Sequence, residues 1–431
     1  MQSEAADGHA RRVIFVLILV AQFVVPLGLF GLGALAPLVR AALQLSREQF
    51  GYVSALCAFG AVCACLPTGW LADRVGVRWL LMAGQVVSGL ALGTLLLWPT
   101  YGALLLAMLL VGVTHGATMV LTTKALVDWF PRERRATVMG TKFVAMSGAG
   151  SVAGMALPSV ALGLGWHQAF ALVGGLLVAS AVGVLLGYRD RRQGQPPTAS
   201  QLAAAGRRLW RDLPFWRLVT VGFFLGGALF GFTAYLTLYL HERLGYPPIL
   251  AGSLLALAHG AATASRVPSG WVSDRWLRGE RRALLRGIAV VAIGALLTLI
   301  LLPPGTPVPV LAMVVLLYGA SGLGGWGGLY QTLATELAGK DTQGLGAGLA
   351  TTFVQLGSTV TPPVFGALVD ATGSYTAAWG LLILWLLGVI VLLGPSRSAS
   401  VPREERAVPP GLCVPYLATS GRARSTGRAE P

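Results

Sequence analysis

Twelve separate apolar stretches, each long enough to cross a lipid bilayer as a helix, constrain what this chain can fold into. A helix needs about 20 mostly apolar residues to cross the hydrocarbon core. Lipid leaves only helices or closed barrels, and the ten-residue alternation of barrel strands is absent from the sequence. We therefore predict an all-α membrane protein with twelve transmembrane helices, at residues 13–35, 49–70, 79–98, 102–125, 137–161, 167–188, 218–239, 248–271, 287–303, 308–332, 345–369 and 376–394.

The low content of charged residues agrees with a membrane-embedded fold. Apolar residues make up 55% and charged residues 11% of the chain, whereas a soluble domain carries about 25% charged residues. The net charge of +15 comes from basic residues in the connectors, so we expect them to set topology and expect no nucleic-acid partner. Three of the four cysteines share one apolar run, and we predict neither a disulfide framework nor a metal site, and no cofactor.

The positions of Lys and Arg predict how the chain is oriented. With the N-terminus inside, only Arg40, Arg47 and Arg243 of the 32 basic residues fall in outer segments. Because basic residues concentrate in cytoplasmic loops, we predict a multi-pass protein of the plasma (inner) membrane with both termini in the cytoplasm. The first apolar run is too long for a signal-peptide core, and no small-residue cleavage site follows it, so we expect it to be retained as a span.

A polar and basic connector divides the spans into six and six. We predict a cytoplasmic N-terminus at 1–12, an N-terminal six-helix bundle at 13–188, a cytoplasmic linker at 189–217, a C-terminal six-helix bundle at 218–394 and a disordered cytoplasmic tail at 395–431. The tail is rich in Pro, Ser, Gly and charge, a composition typical of disorder.

The sequence Gly-Trp-x-x-Asp-Arg occurs twice, at Gly69 and at Gly270, after spans 2 and 8. Equivalent loops in equivalent places indicate two related halves. In these loops the chain resembles the major facilitator superfamily, and segment 128–135 is similar to the span 4–5 loop of bacterial organic-anion members. The resemblance covers residues 13 to 394. It implies two pseudo-symmetric bundles, transport by alternating access, and a central cavity lined by spans 1, 4, 7 and 10.

The resemblance also implies that the repeated loop latches the two halves together on the cytoplasmic side in the outward-open state. Its glycines permit a tight reversal, and the Asp73 carboxylate is placed to cap a neighbouring helix start and hold an arginine. The alternative is that the charged residues only anchor the loop among lipid headgroups. The candidate gating residues are Gly69, Asp73, Arg74, Gly76, Arg78, Gly270, Asp274 and Arg275.

Ionisable residues inside the spans are the first candidates for a substrate or proton site. His115 lies near the middle of span 4 and His259 near the middle of span 8, and a histidine can carry a proton near neutral pH. The alternative for each is a neutral imidazole hydrogen-bonded to a helix backbone, with Gly116 or Gly260 making room. No Asp or Glu falls in the middle of any predicted span.

Two basic residues inside the spans favour an anionic substrate. Lys142 in span 5 and Arg266 in span 8 lie toward the inner ends, each about 10 Å from the middle of its span. They are placed to attract an anion arriving from the cytoplasm. The alternative is that their side chains reach the interface or pair with loop carboxylates. Lys124 lies closer to the interface, where this alternative is stronger.

Neutral polar and aromatic residues complete the predicted lining. By the cavity that the resemblance implies, further candidates for contact with substrate are Gln22, Thr118, Tyr235, Tyr318, Tyr330 and Gln355. Runs of glycine in spans 5, 10 and 11 predict helices that approach closely and slide against each other.

The leading functional hypothesis is secondary active or facilitative transport of a small organic solute, an anion rather than a cation, by a monomer in the lipid bilayer. The sequence leaves open whether a proton or a counter-anion is coupled, as antiporter or symporter. Two alternatives are efflux of amphipathic compounds and a receptor or scaffold that kept the fold but lost transport. We find no cluster that predicts an enzyme and no phosphate-binding loop of an ATP-driven pump.

Overall fold

The computed structural model of the chain describes residues 2–130, 132–191, 209, 211–276, 280–339 and 342–394. Every regular element in these ranges is helical, which confirms the predicted all-α class. The predicted tail at 395–431 and most of the predicted linker, residues 192–208 and 210, lie outside the described residues.

Fourteen α-helices are found in the described part of the chain. In chain order they are α1 (Gln2–Ala34), α2 (Ala36–Leu43), α3 (Arg47–Val75), α4 (Val77–Gly93), α5 (Tyr101–Trp129), α6 (Arg132–Leu164), α7 (Trp166–Gly187), α8 (Leu213–Glu242), α9 (Pro248–Arg275), α10 (Arg281–Leu301), α11 (Val308–Tyr318), α12 (Gly327–Ala338), α13 (Gln343–Thr372) and α14 (Tyr375–Leu393).

Eleven spans, among the described residues, meet the length and hydropathy expected of a membrane-crossing helix. The predicted span 345–369 is not among them, although its 30 residues form the continuous helix α13. Its Thr, Ser and Gln residues and its adjacent prolines Pro362 and Pro363 lower its hydropathy. Because α13 packs closely on α3 and α8, much of its surface contacts other helices. Such a surface requires fewer apolar side chains than one that faces lipid.

The predicted tenth span is interrupted rather than continuous. A π-helical segment, Gly319–Gly325, separates α11 from α12. Gly319 and Gly324 lie against the backbone of Ala258 and Ala262 on α9, where a Cβ atom would clash with carbonyl oxygens. The glycine run predicted close helix approach, and the structure confirms it here by backbone-to-backbone packing.

Local signals in the sequence set several helix ends. Ser46 begins α3 with a capping box, because its Oγ accepts from the Gln49 amide at 3.0 Å and Gln49 Oε1 accepts from the Ser46 amide at 2.9 Å. Gly76, with φ of +95°, makes the reversal between α3 and α4, a backbone conformation that favours glycine. Asp212 caps α8 by accepting from the Phe215 amide at 3.3 Å.

Helices within each half of the chain pack together, and helices from the two halves meet at two main seams. Within residues 2–187, α3 packs on α5, α4 on α7 and α1 on α6; within residues 213–393, α8 packs on α13 and α14. The seams are α3 with α13 and α6 with α9. We call the end of the assembly that holds Arg47, Glu242 and Asp370 the predicted outer end, after the sequence-based orientation, and the opposite end the predicted inner end.

Candidate functional site

Lys142 lies on α6 with its side chain only 1% exposed. Its Nζ donates to the carbonyl oxygen of Met119 at 2.9 Å and to Oγ1 of Thr123 at 2.7 Å. Both acceptors are neutral, and no acidic side chain in the described ranges forms an ion pair with Lys142. A cation inside a span without a counter-charge is a candidate functional residue.

Gln22 joins the same polar group from α1. Its side chain is fully buried, its Nε2 lies 3.1 Å from Sδ of Met119, and its Oε1 accepts from Oγ1 of Thr122 at 3.1 Å. Met119 therefore contacts Gln22 through its sulfur and Lys142 through its carbonyl. Three helices, α1, α5 and α6, hold this group in place.

Arg266 approaches the group from α9. Its Cζ lies 5.7 Å from the centroid of the Phe143 ring, within the range of a cation–π contact. The Nε atom is buried without a hydrogen-bond partner, and we find no hydrogen bond or ion pair of this side chain elsewhere in the described residues. Nζ of Lys142 lies 5.7 Å from the same ring. The structure thus brings both cations that the sequence singled out to one aromatic side chain.

His259 is wedged between helices of both chain halves. Its ring lies 4.5 Å from the Phe30 ring of α1, centroid to centroid. A Cβ atom at Gly150 of α6 would lie 2.5 Å from Cγ of this imidazole, so only glycine leaves room for it. Nε2 of His259 is buried and has no partner among the described residues. Its place is the seam between α6 and α9.

His115 and Thr118 occupy α5 one turn apart. Both side chains are buried, and Nδ1 of His115 has no hydrogen-bond partner in the part of the chain that the structure describes. The Thr118 carbonyl accepts from Oγ1 of Thr122 at 2.6 Å, which places Thr118 beside the group around Gln22. Neither residue contacts Phe143 or Arg266 through an observed hydrogen bond or ring contact.

Tyr318 and Tyr330 are packing residues within the C-terminal half. The Tyr318 hydroxyl donates to the Ala228 carbonyl at 3.0 Å, and its ring stacks on Phe232. The Tyr330 hydroxyl donates to the Ala350 carbonyl at 3.1 Å. Both rings are fully buried among neighbouring helices, and their observed hydrogen bonds and ring contacts, among the described residues, do not involve Lys142 or Arg266. Gln355 is half-buried on α13.

Tyr235 lies at the predicted outer end rather than beside the cations. Its hydroxyl is within hydrogen-bond distance of the carbonyl oxygens of Arg47, at 2.6 Å, and Pro362, at 2.9 Å. Its ring stacks on Phe365 with centroids 4.4 Å apart. Since α3, α8 and α13 all meet at this hydroxyl, the geometry favours a role in closing the outer end over a role in binding substrate.

A cluster of charges next to Tyr235 was missed by the sequence reasoning. Arg40 and Arg47 both form ion pairs with Glu242. Nη1 of Arg47 also lies 3.2 Å from Oδ1 of Asp370. We call these four residues the outer charge cluster. One sequence signal could have revealed the outer charge cluster. The predicted outer segments hold few charged residues, and these four are among them.

Further hydrogen bonds and close helix packing strengthen this closure. The Glu48 amide donates to Asp370 Oδ2 at 2.9 Å, and the Tyr375 hydroxyl donates to Glu242 Oε2 at 2.8 Å. A Cβ atom at Gly51 would lie 2.5 Å from the Pro362 carbonyl oxygen, which shows how tightly α3 and α13 meet. The two halves of the chain are therefore joined firmly at the predicted outer end.

The first repeated loop is held by partners other than those expected. Asp73 forms an ion pair with Lys124 of α5 rather than capping a helix start or holding an arginine. The start of α4 is capped instead by Asp190, whose Oδ1 accepts from the Val77 amide at 2.8 Å and the Arg78 amide at 3.3 Å. Asp190 lies after α7, so the sequence did not reveal it as the capping residue.

The remaining residues of the first loop make local contacts. The Arg74 guanidinium stacks on the Trp70 ring with Cζ 3.7 Å from its centroid, and the Arg78 guanidinium donates to the Leu185 carbonyl. A Cβ atom at Gly76 would lie 2.6 Å from Asp190 Oδ2. Gly69 has no such close neighbour, since a Cβ atom there would come no nearer than 4.0 Å to Val120.

The second repeated loop is only partly described. Arg275 lies with Cζ 5.9 Å from the Trp271 ring, at the same sequence spacing as Arg74 and Trp70 but less close than their 3.7 Å. A Cβ atom at Gly270 would meet no other heavy atom within 4 Å among the described residues. The side chain of Asp274 lies outside the described residues, and the latch role of both loops stays a prediction.

No group of three or more metal-binding side chains occurs in the described residues.

The described spans form an apolar assembly that encloses two cations and is closed at one end by ion pairs. The sequence model of the Major Facilitator Superfamily matches residues 18–362. The chain belongs to the Major Facilitator Superfamily. Its fold is thus that of a multi-pass membrane transporter and not of an enzyme.

Curated superfamily members are similar over nearly the whole chain. The probable sulfoacetate transporter SauU of Cupriavidus necator is 25% identical over 421 residues, which cover 92% of this chain and 96% of that protein. The probable galactarate/D-glucarate transporter GudP of Bacillus subtilis is 23% identical, covering 84% and 88%. The hexuronate transporter of Escherichia coli K12 is 24% identical, covering 83% and 88%.

Solved superfamily structures share the fold. The crystal structure of a bacterial homolog to the human lysosomal transporter Spinster, in an inward-facing and unoccupied conformation, superposes with a TM-score of 0.71 and 15% sequence identity. The match covers 89% of this chain and 94% of that one. This likeness extends to the architecture alone.

Proposed function

We propose that this superfamily member transports a small organic anion across the plasma membrane by alternating access. The observation that carries the proposal is the pair of cations Lys142 and Arg266, which lie inside spans and have no acidic partner among the described residues. An uncompensated charge in a span is costly, and an anionic ligand would offset that cost. Three relatives carry the names of organic-anion transporters, which supports the same substrate class.

We further propose that residues 13–188 and 218–394 act as two bundles that rock against each other, with both termini in the cytoplasm. The seams between α3 and α13 and between α6 and α9 support this division. The outer charge cluster joins the halves at the predicted outer end, which supports a state that is closed at that end. Both bundles belong to one chain, so a monomer is sufficient for the cycle.

The coupled ion is either a proton or a counter-anion. Acidic residues of the described spans, including Glu48, Asp128, Glu242 and Glu336, lie at span ends, so proton coupling would rest on His115 or His259. Uptake driven by an imposed pH gradient, in proteins with and without these histidines, separates proton symport from anion exchange. Stimulation by the gradient that survives removal of both histidines would exclude them as proton carriers.

Counterflow in proteoliposomes tests the transport proposal. Vesicles are loaded with unlabelled sulfoacetate, glucarate or glucuronate and diluted into a trace of the labelled compound. A transporter of that anion shows transient accumulation of label, which Arg266→Gln should reduce. The control is Arg12→Gln, which removes one exposed charge at the start of α1. Binding without counterflow would indicate a receptor, and counterflow only with amphipathic cations would indicate efflux.

A further inference from the structure

Lys142 and Arg266 flank a single side chain, the ring of Phe143. Nζ of Lys142 and Cζ of Arg266 each lie 5.7 Å from the centroid of this ring. Lys142 belongs to α6 of the N-terminal half and Arg266 to α9 of the C-terminal half. One positive charge from each helix of the α6–α9 seam therefore lies beside the same aromatic ring.

Most donors of these two cations remain unused. The Lys142 ammonium carries three N–H groups, and the described structure uses two of them, both for neutral oxygens of α5. The Arg266 guanidinium carries five N–H groups, and none donates to a described residue. Hydrogen bonds to neutral oxygens satisfy a donor but leave the charge uncompensated, so each cation retains both donors and charge for a ligand.

Charge balance limits what the ligand can be. A solute with one anionic group would compensate one cation and leave the second uncompensated in a low-dielectric site. A solute with two anionic groups compensates both at once. Carboxylate, sulfonate and phosphate groups all present oxygens that match an ammonium or the fork of a guanidinium.

We propose that the site selects small organic dianions, with one anionic group bound by Lys142 and the other by Arg266, and with the linking carbons against Phe143. The inference rests on the proposed anion transport and adds the number of charges that the substrate carries. A dianion bound in this way ties α6 to α9, so substrate binding itself would couple the two halves.

Matched pairs of probes test the number of charges. Ligand-dependent thermal stabilisation of the purified protein is titrated with malonate against propionate, succinate against butyrate, and sulfoacetate against isethionate. The members of each pair are similar in size and differ by one negative charge. The expected result is half-maximal stabilisation at a concentration at least about tenfold lower for the dianion of a pair, equivalent to about 1.4 kcal/mol. Inorganic sulfate and phosphate, added separately, show whether the organic linker is needed.

Single-charge variants assign that preference to the two residues. Arg266→Gln and Lys142→Gln should each weaken dianion binding about tenfold and change monoanion binding less than about threefold. Arg266→Lys should keep the preference, and the control Arg12→Gln should not alter it. Unliganded melting and monodispersity show that each variant is folded, and Lys142→Gln provides the test if Arg266→Gln is not.

The outcomes separate this inference from the proposed function. Equal affinity for both members of each pair would overturn the dianion inference and leave anion transport intact. Equal loss of monoanion and dianion binding in Arg266→Gln would also overturn it, since one cation would then bind one anionic group. The absence of stabilisation and counterflow with every probe would overturn the proposed anion transport itself.

Discussion

Arg47 of α3 and Glu242 of α8 are joined through one carboxylate oxygen, because Nε and Nη2 of Arg47 lie 2.9 Å and 2.7 Å from Glu242 Oε2. The side chains are 27% and 16% exposed, so water screens this pair only partly. Arg40 binds the other oxygen, Oε1, of the same carboxylate. Glu242 thus connects two helices of the N-terminal half to one helix of the C-terminal half, and closure of the predicted outer end depends on its charge.

We predict that Glu242→Gln opens the predicted outer end. The change leaves Arg40 and Arg47 without their shared carboxylate, and loss of a partly buried ion pair shifts the equilibrium toward opening by about 1–3 kcal/mol. A cysteine is placed at buried Ser54, one turn of α3 beyond Gly51, in a protein without its native cysteines. Labelling by a membrane-impermeant maleimide added from outside should become at least about fivefold faster.

Arg243→Gln is the matched control for Glu242→Gln. Arg243 is the neighbouring residue, is exposed, and has no ion pair among the described residues. Its removal changes the outer charge by one unit, with the opposite sign, without touching the cluster. Equal labelling rates in Glu242→Gln, Arg243→Gln and the parent would show that the outer charge cluster does not hold the end closed.

Asp73→Asn tests whether the first loop has a part in the transport cycle. The Asp73 carboxylate is 37% exposed and the Lys124 side chain 33%, and exposed pairs contribute about 0.2–1 kcal/mol. We therefore expect normal insertion and little change in melting temperature. Because the pair fixes α3 to α5 at the predicted inner end, we expect a reduced maximal rate of counterflow.

Lys124→Gln removes the other partner of the same pair. If the ion pair is what matters, Asp73→Asn, Lys124→Gln and the double variant should have similar rates, since the second change removes nothing further. Unchanged counterflow in Asp73→Asn would assign the loop to anchoring at the headgroups.

Much of the fold was predictable because lipid permits so few structures. The twelve apolar runs led to spans that the structure realises as helices, and the capping box of α3 and the glycine reversal at Gly76 follow from local residue chemistry. The exception, α13, shows the limit of hydropathy. A helix that packs on other helices carries Thr, Gln and Pro, so its hydropathy falls below that of the other spans, although its apolar run predicted a span.

The candidate site was less predictable because its decisive contacts join residues far apart in sequence. Arg47 and Glu242 are separated by 195 residues, and Val77 and Asp190 by 113, so no local pattern connects them. The sequence identified Lys142 and Arg266, but their shared neighbour Phe143 required the structure. Tyr318 ends α11, a helix that is apolar all round, where sequence alone does not show which face points to the cavity.

Gly150→Ala should disturb the α6–α9 seam in the conformation described here. The new Cβ atom would lie 2.5 Å from the His259 ring, a contact that forces the helices apart or the imidazole out of its position. Overpacking of this kind costs about 1–3 kcal/mol. We expect a lower melting temperature of the unliganded protein and faster outside labelling of the Ser54→Cys reporter.

His259→Ala in the same chain tests the cause of that effect. Removing the imidazole opens the space that the new methyl group needs, so the double variant should recover part of the stability that Gly150→Ala loses. Gly148→Ala is the matched control, because a Cβ atom there would meet only Phe23, at 3.9 Å. Additive losses in the double variant would show that Gly150 and His259 are not in contact.

Arg266→Met should not lower the melting temperature of the unliganded protein, although it removes an arginine from within a helix. An uncompensated cation inside a span is unfavourable, and replacing it with an apolar side chain of similar length removes that cost. Arg47→Met is the comparison, since it leaves Glu242 and Asp370 without a partner and should destabilise the protein by about 1–3 kcal/mol. Thermal unfolding of both variants in the same detergent, without added anion, measures the difference. A fall for Arg266→Met as large as that for Arg47→Met would show that Arg266 already has a partner within the protein, and the anion site would then have to lie elsewhere.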